Sequence, residues 1–183
     1  MNNLSKKLVT AAVLVSAAGV VFVAQSGGDD EMKKQISQAR SAAPASISGN
    51  ATIMSAGKVL VKGTNDWICM PDTMPGDGNP MCNDPTWMKM LTALGNKADF
   101  KADSIGISYM LKGDVGAGVS NSDPYHPDPK NADDYTETGP HLMIIVPKEL
   151  LKGLTDDPNS GGPYVMWGET PYAHIMVPVG DKE

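Results

Sequence analysis

Two stretches near the C-terminal end of the chain share a His-x-Met pattern, His141-Leu-Met143 and His174-Ile-Met176. In an extended strand alternate residues point to the same side, so each histidine shares a face with its methionine. Imidazole and thioether groups together form a mixed ligand set that suits copper. If the two strands are neighbours, these four side chains form a candidate copper site. The alternative is a partly covered sheet face whose histidines hydrogen-bond to nearby loops.

The segment 112–140 has no apolar periodicity and is rich in acidic residues, glycine and proline, which predicts a long surface loop. It ends directly before His141, so we expect it to fold across the face that carries the histidines and methionines. In that position it would supply a polar partner to His141. The candidate partners are Ser120, Asn121, Ser122 and Asp123.

The same loop carries carboxylates that are candidate ligands for calcium, a hard cation that prefers oxygen. These residues are Asp123, Asp128, Asp133, Asp134 and Glu137. Their spacing is not that of an EF-hand, and prolines interrupt it. A solvated acidic loop without bound calcium is the alternative interpretation.

Enzyme signatures are absent from the sequence. It contains no G-x-S-x-G elbow, no phosphate-binding glycine loop and no H-E-x-x-H motif. A hydrolase-like site that combines His141 or His174 with Ser122 or Asp123 is the enzymatic alternative that the residue types allow. No residue is therefore predicted to be catalytic on the strength of a motif.

Cys69 and Cys82 are the two cysteines of the chain, and they enclose a stretch rich in proline, glycine and aspartate. Redox-active pairs usually stand two residues apart, so this spacing favours a structural disulfide. The enclosed stretch also holds Met70, Met74 and Met81. Methionine is abundant, with 12 in the chain, and is either a soft metal ligand or an adaptable filling of the core.

The N-terminal residues predict export. Lys6 and Lys7 precede an uncharged apolar run over residues 8–24, and Ala24-Gln-Ser26 fits the small-x-small pattern of a cleavage site. Residues 1–26 are therefore interpreted as a signal peptide, with a retained membrane anchor as the alternative. A periplasmic or secreted location follows, with no membrane association after cleavage. The chain's net charge of -6 argues against a nucleic-acid partner.

Residues 27–44 are predicted to form a helical or flexible stalk, and residues 45–183 a single α+β domain with a mainly antiparallel sheet. Asp84-Pro85 is typical of a helix N-terminus. In the strand that begins at His141, the alternating aliphatic residues Leu142, Ile144 and Val146 are expected to face the core. The other predicted strands are residues 51–54, 58–61, 104–111, 164–167 and 172–179.

Five sequence stretches carry a family resemblance: GTNDWICMPD from Gly63, NPMCND from Asn79, TGPHLMI from Thr138, GGPYVMW from Gly161 and PYAHIMVPV from Pro171. Together they resemble an uncharacterised family of secreted or periplasmic bacterial proteins. The resemblance runs from about Ala45 to the C-terminus. It implies an envelope location and one domain, and it supplies no activity or functional residue.

These observations favour a non-catalytic binding or structural protein of the cell envelope, with a small molecule or another protein as its partner. A copper-binding protein that uses His141, Met143, His174 and Met176 is one alternative. A hydrolase-like enzyme that uses His141 or His174 is the other.

Overall fold

Helices and strands follow one another along residues 26–182, which are the residues that the computed structural model describes. The helices are α1 (Ser26–Arg40), α2 (Ala45–Ser48) and α3 (Pro85–Gly95), and the strands are β1 (Thr52–Ser55), β2 (Lys58–Val61), β3 (Ile68–Met70), β4 (Met81–Asn83), β5 (Gly106–Met110), β6 (Val119–Ser120), β7 (Tyr135–Thr136), β8 (His141–Ile145), β9 (Tyr164–Met166) and β10 (His174–Pro178). Apart from its last residue, the predicted signal peptide lies outside these residues. No helix within them is long and apolar enough to cross a bilayer.

One large sheet organises this part of the chain. Its eight strands lie in the order β2-β1-β3-β4-β5-β8-β10-β9, and β6 pairs with β7 in a separate two-stranded sheet. Every neighbouring pair is antiparallel except β1 and β3. The predicted α+β fold with a mainly antiparallel sheet is therefore confirmed. The two strands of the His-x-Met pattern, β8 and β10, are direct neighbours.

Asp84 fixes the position of α3 against the sheet. Its carboxylate accepts a hydrogen bond from the backbone N–H of Trp87 at 2.7 Å, which caps the first turn of the helix. The same carboxylate accepts a second bond from the N–H of Ile107 on β5 at 2.8 Å. One side chain thus determines both where α3 begins and where it meets the neighbouring strand.

The end of α1 and the residues after it pack against one face of the sheet. Ala39 and Ala42 are fully buried there, in a cluster with Ile53 and Cys69. Alanine lets a helix approach a sheet closely because it has no side chain beyond Cβ. The segment 27–44 is therefore helical as far as Arg40, and its C-terminal end packs against the sheet through Ala39 and Ala42.

The opposite face of the sheet carries the main core. Trp87 and Met90 of α3 lie over it and are almost fully buried. The cluster consists of Met81, Trp87, Met90, Met110, Met143, Ile145, Tyr164, Met166, Tyr172 and Met176. Methionine fills most of this core because its unbranched thioether chain adapts to irregular gaps.

The histidine and methionine side of β8 is the more deeply buried one. The structure corrects the expectation that Leu142, Ile144 and Val146 face the core, since all three are only partly buried. Val146 packs against a smaller cluster that contains Leu151, while α3 covers the other face of the strand. The alternation of residues along β8 distinguishes the two faces of the strand but does not show which one is buried. The packing of α3 buries the face that carries His141 and Met143.

Candidate functional site: the buried His–Met face

We call the surface formed by His141, Met143, His174 and Met176 the His–Met face. In the antiparallel register of β8 and β10, Met143 lies directly opposite Met176. His141 lies opposite Pro178 at one end of the pair, and His174 lies beyond Met176 towards the other end. The histidines are four residues apart along the strands, which is about 13 Å. The four side chains share one face, and the two imidazoles flank the methionine pair from opposite ends.

All four side chains of the His–Met face are almost completely buried. The two histidines are each 1% exposed, Met143 is 6% exposed and Met176 is 2% exposed. Open cavities of about 530, 340 and 220 Å³ occur elsewhere in the described part of the chain, and neither histidine lines them. Each imidazole is therefore enclosed by protein and separate from these three cavities.

His141 is held by a backbone oxygen and lies near a buried acid. Its Nδ1 is 2.5 Å from the carbonyl oxygen of Gly139, which can only accept a hydrogen bond, so the neutral ring carries its proton on Nδ1. The Asp114 carboxylate in turn accepts bonds of 2.8 Å from the N–H groups of Thr138 and Gly139. Burial lowers the pKa of His141, and the Gly139 bond and the Asp114 charge oppose that change.

His174 repeats this arrangement between two tryptophans. Its Nδ1 donates to the carbonyl oxygen of Tyr172 at 2.9 Å. The neutral ring therefore has its free lone pair on Nε2. The rings of Trp87 and Trp167 both lie edge-to-face with the imidazole, with centroids 5.1 Å away. Burial lowers the pKa of His174 to about 4, because the surroundings cannot solvate a charged ring.

The lone pair of His174 has no partner. Its Nε2 is fully buried and makes no hydrogen bond, and the indole Nε1 of the adjacent Trp87 is buried without a partner as well. Leaving such groups unpaired costs about 1–3 kcal/mol each. Met166 lies directly opposite His174 in the β9–β10 register, and Met176 follows two residues along the same strand. The buried nitrogen without a hydrogen-bond partner therefore belongs to a histidine with two methionines as its neighbours in the sheet.

The loop residues predicted to pair with His141 are engaged elsewhere. The N–H of Ser122 donates to the carboxylate of Asp134 at 2.7 Å, and the carboxylate of Asp123 accepts from the N–H of Tyr125 at 2.8 Å. Neither is hydrogen-bonded to His141, so that expectation is not met. Both bonds lie within the loop, one across it and one inside a turn, so these groups stabilise the loop itself.

The loop reaches the opposite end of the His–Met face instead. Trp167 donates from its indole Nε1 to the carbonyl oxygen of Ser120 at 3.0 Å, and from its backbone N–H to Asn121 at 2.7 Å. Trp167 has a positive φ of 56°, which is rare for a bulky residue. The loop therefore braces the tryptophan that packs against His174.

Two contributors to the site, Asp114 and Trp87, were missed from the sequence. Asp114, near His141, stands at the start of the loop in a Gly-Asp-Val-Gly stretch that is typical of a solvated turn. Trp87 comes from α3, which is distant in sequence from His174. For Trp87, the helical spacing to Leu91 and Leu94 predicted burial, but nothing in the sequence indicated that it lies against a histidine.

The candidate calcium ligands do not form a site. No group of three or more His, Cys, Asp or Glu side chains within residues 26–182 is placed to hold a metal ion. Glu137 instead accepts hydrogen bonds from the N–H of Gly116 and the hydroxyl of Tyr135. These carboxylates stabilise the loop by binding its own donors.

The predicted disulfide between Cys69 and Cys82 is confirmed. The two residues lie directly opposite each other on β3 and β4. They close the loop that forms one wall of an open cleft of about 530 Å³, which lies between α1, the β1–β2 turn and residues 71–78.

Comparisons with protein-family models, with curated proteins and with solved structures found no match. The family resemblance of the sequence motifs therefore stays a prediction. The function has to be inferred from the geometry of the site.

Proposed function

We propose that this chain is a non-catalytic binding protein of the cell envelope and that it binds Cu(I) on its His–Met face. The observation that carries the proposal is the buried, unpartnered Nε2 lone pair of His174. With the proton held on Nδ1 by Tyr172, this nitrogen is ready to act as a ligand without losing a proton.

The surroundings of His174 favour a soft, singly charged ion. Met166 and Met176 offer neutral thioethers, and this ligand type selects Cu(I) over hard cations such as Mg²⁺ or Ca²⁺. Burial penalises charge, so a monovalent ion in a neutral ligand set costs less than a divalent one. Met143, opposite Met176, extends the thioether surface towards His141.

The envelope location is supported by two independent features. The disulfide between Cys69 and Cys82 is compatible with an oxidising compartment outside the cytoplasm. The charged start and apolar run of residues 1–26 are typical of an export signal.

The surroundings of the histidines support binding rather than catalysis. The hydrogen bonds from the rings of His141 and His174 go to backbone carbonyl oxygens, not to an acid or a hydroxyl group that could complete a catalytic set. Neither ring lines an open cavity where a substrate would meet it. The hydrolase-like alternative therefore has no observation in its favour.

The test is a Cu(I) titration of the disulfide-bonded chain without its signal sequence, under anaerobic conditions and against a competing Cu(I) chelator. We expect the native chain to bind one Cu(I) with high affinity. His174→Phe keeps an aromatic ring between the tryptophans but removes the ligand, and should weaken binding by about tenfold or more.

His126→Phe is the matched control, because His126 lies outside the core and belongs to the loop. It should bind Cu(I) as the native chain does. Absence of Cu(I) binding by the native chain, or equal binding by both variants, would overturn the proposal. Near-ultraviolet circular dichroism of each variant checks that its core is intact.

A further inference from the structure

A row of methionines crosses the sheet from the open cleft to the His–Met face. Met70 on β3 lies directly opposite Met81 on β4, and Met110 on β5 lies directly opposite His141 on β8. These two pairs belong to one row, because continuing the β4–β5 register by one residue places Met81 beside Met110.

The row extends to the first strand of the sheet. β1 and β3 are parallel, and Ile53 pairs with Cys69. Met54 follows Ile53 directly, as Met70 follows Cys69, and both methionines line the same cleft. Neighbouring strands are about 4.8 Å apart, so successive side chains of the row on one face are within contact distance of each other.

Solvent exposure falls steadily along this row. Met74, in the loop that follows β3, is 68% exposed, and Met54 and Met70 are partly buried. Met81 and Met110 are then 6% and 5% exposed. The row therefore begins at the surface and ends in the core, beside His141.

The surface end of the row is an open cleft with ordered walls. Met54, Met70 and Met74 all line the cavity of about 530 Å³. Asp77 holds the wall by accepting hydrogen bonds from the N–H of Met74 at 2.8 Å and of Asn79 at 3.0 Å. Three methionines, from two adjacent strands and a braced loop, thus line the cleft, and Met74 is the exposed one among them.

We propose that Met54, Met70 and Met74 form an entry site for Cu(I), and that Met81 and Met110 pass the ion along the sheet to the His–Met face. The inference rests on the proposed copper function. It explains how an ion reaches a site without an open channel, since each step exchanges one thioether for the next.

The transfer needs no reactant other than the ion. A thioether is a neutral ligand, so exchange between methionines releases no proton. Copper enters and leaves each step as Cu(I), so no electron moves. Ag(I) is an equivalent soft monovalent probe, and it avoids oxidation by air.

The experiment measures how fast Ag(I) reaches the core. Trp87 and Trp167 flank His174, so tryptophan emission in a stopped-flow instrument reports arrival at the buried site. The test variants are the triple Met54→Leu/Met70→Leu/Met74→Leu chain and the single Met110→Leu chain, since leucine conserves volume and removes sulfur. Met32→Leu is the control, an exposed methionine of α1 that does not line the cleft.

We expect both test variants to reach the native end point of emission about tenfold more slowly, because a relay position is lost in each. Met32→Leu should load at the native rate. Native loading rates in the test variants, or equal slowing in the control, would overturn the entry route while leaving the copper function intact. If the native chain itself shows no emission change and binds no Ag(I) at equilibrium, the copper function fails and the route fails with it.

Discussion

Trp87 and His174 face each other with ring centroids 5.1 Å apart, and each holds a buried ring nitrogen that makes no hydrogen bond. One of these nitrogens is a donor, and the other, with the proton of His174 on Nδ1, is an acceptor. Two complementary buried groups left unpaired in adjacent rings call for an explanation, which the proposed Cu(I) site supplies for His174.

Acidification should destabilise the protein through His174. Its pKa falls from 6.5 to about 4 on folding, so the unfolded chain binds more protons between these pH values. The contribution of a neutral His174 is complete above pH 6.5, and about 3 kcal/mol of stability is lost as the pH falls to 4. Urea unfolding of the metal-free chain at several pH values measures this loss.

The comparison of variants isolates this histidine from the carboxylates. His174→Phe should lose clearly less stability than the native chain over the same pH range, because its side chain cannot be protonated. His126→Phe should retain the native dependence. Parallel curves for the native chain and His174→Phe would contradict the prediction.

We expect the Asp114 carboxylate to stabilise the folded protein by holding the end of the loop that leads to His141. Asp114→Ala leaves the N–H groups of Thr138 and Gly139 without an acceptor, and each buried donor left unpaired costs about 1–3 kcal/mol. Asp114→Asn retains an acceptor oxygen and should cost less. Thermal unfolding compares the two variants with Asp123→Ala, which removes an exposed bond and should have a small effect. Similar losses at positions 114 and 123 would rule out a special role for the buried carboxylate.

Removing the Asp84 carboxylate should loosen α3 from the sheet. Asp84→Ala loses the cap of the helix and the bond to Ile107, and we expect a loss of about 2 kcal/mol in the free energy of unfolding. Amide hydrogen exchange should show faster exchange at the N–H groups of both Trp87 and Ile107. Faster exchange at only one of them would mean that the two bonds act independently.

The disulfide should contribute about 3 kcal/mol to stability, because it closes a loop in the unfolded chain. The double variant Cys69→Ala/Cys82→Ala should therefore unfold at a lower urea concentration. Adding a reductant should lower the urea midpoint of the native chain towards that of the double variant, and it should leave the midpoint of the double variant unchanged. A reductant that moves neither curve would show that the bridge does not limit unfolding.

Local features of the fold were predictable because their signals lie within a few residues. Asp84 followed by Pro85 predicted the start of α3, and the hairpin of β1 and β2 turns at Ala56 and Gly57, which both have positive φ. The disulfide followed from having two cysteines in a chain with a predicted export signal. Each of these predictions depends on turn, cap or covalent chemistry, which the surrounding fold changes little.

The features that needed tertiary contacts were not predictable in this way. The three-residue strands β3 and β4 lie in a stretch whose proline and glycine content indicated a loop. The alternation in β8 separated its two faces, but α3 seals the face that carries His141 and Met143. The methionine row exists only in the register of the strands, which places residues far apart in sequence side by side.

Because solvent exposure falls along the methionine row, its methionines should also be oxidised in a fixed order. Peroxide converts an accessible thioether to its sulfoxide, a polar group that a core cannot accommodate. Met74 would react first, and the buried Met81 and Met110 would react only when the domain opens. The cleft would therefore lose its soft ligands to oxidants before the core did, and sulfoxide reductases could restore them while the domain stayed folded.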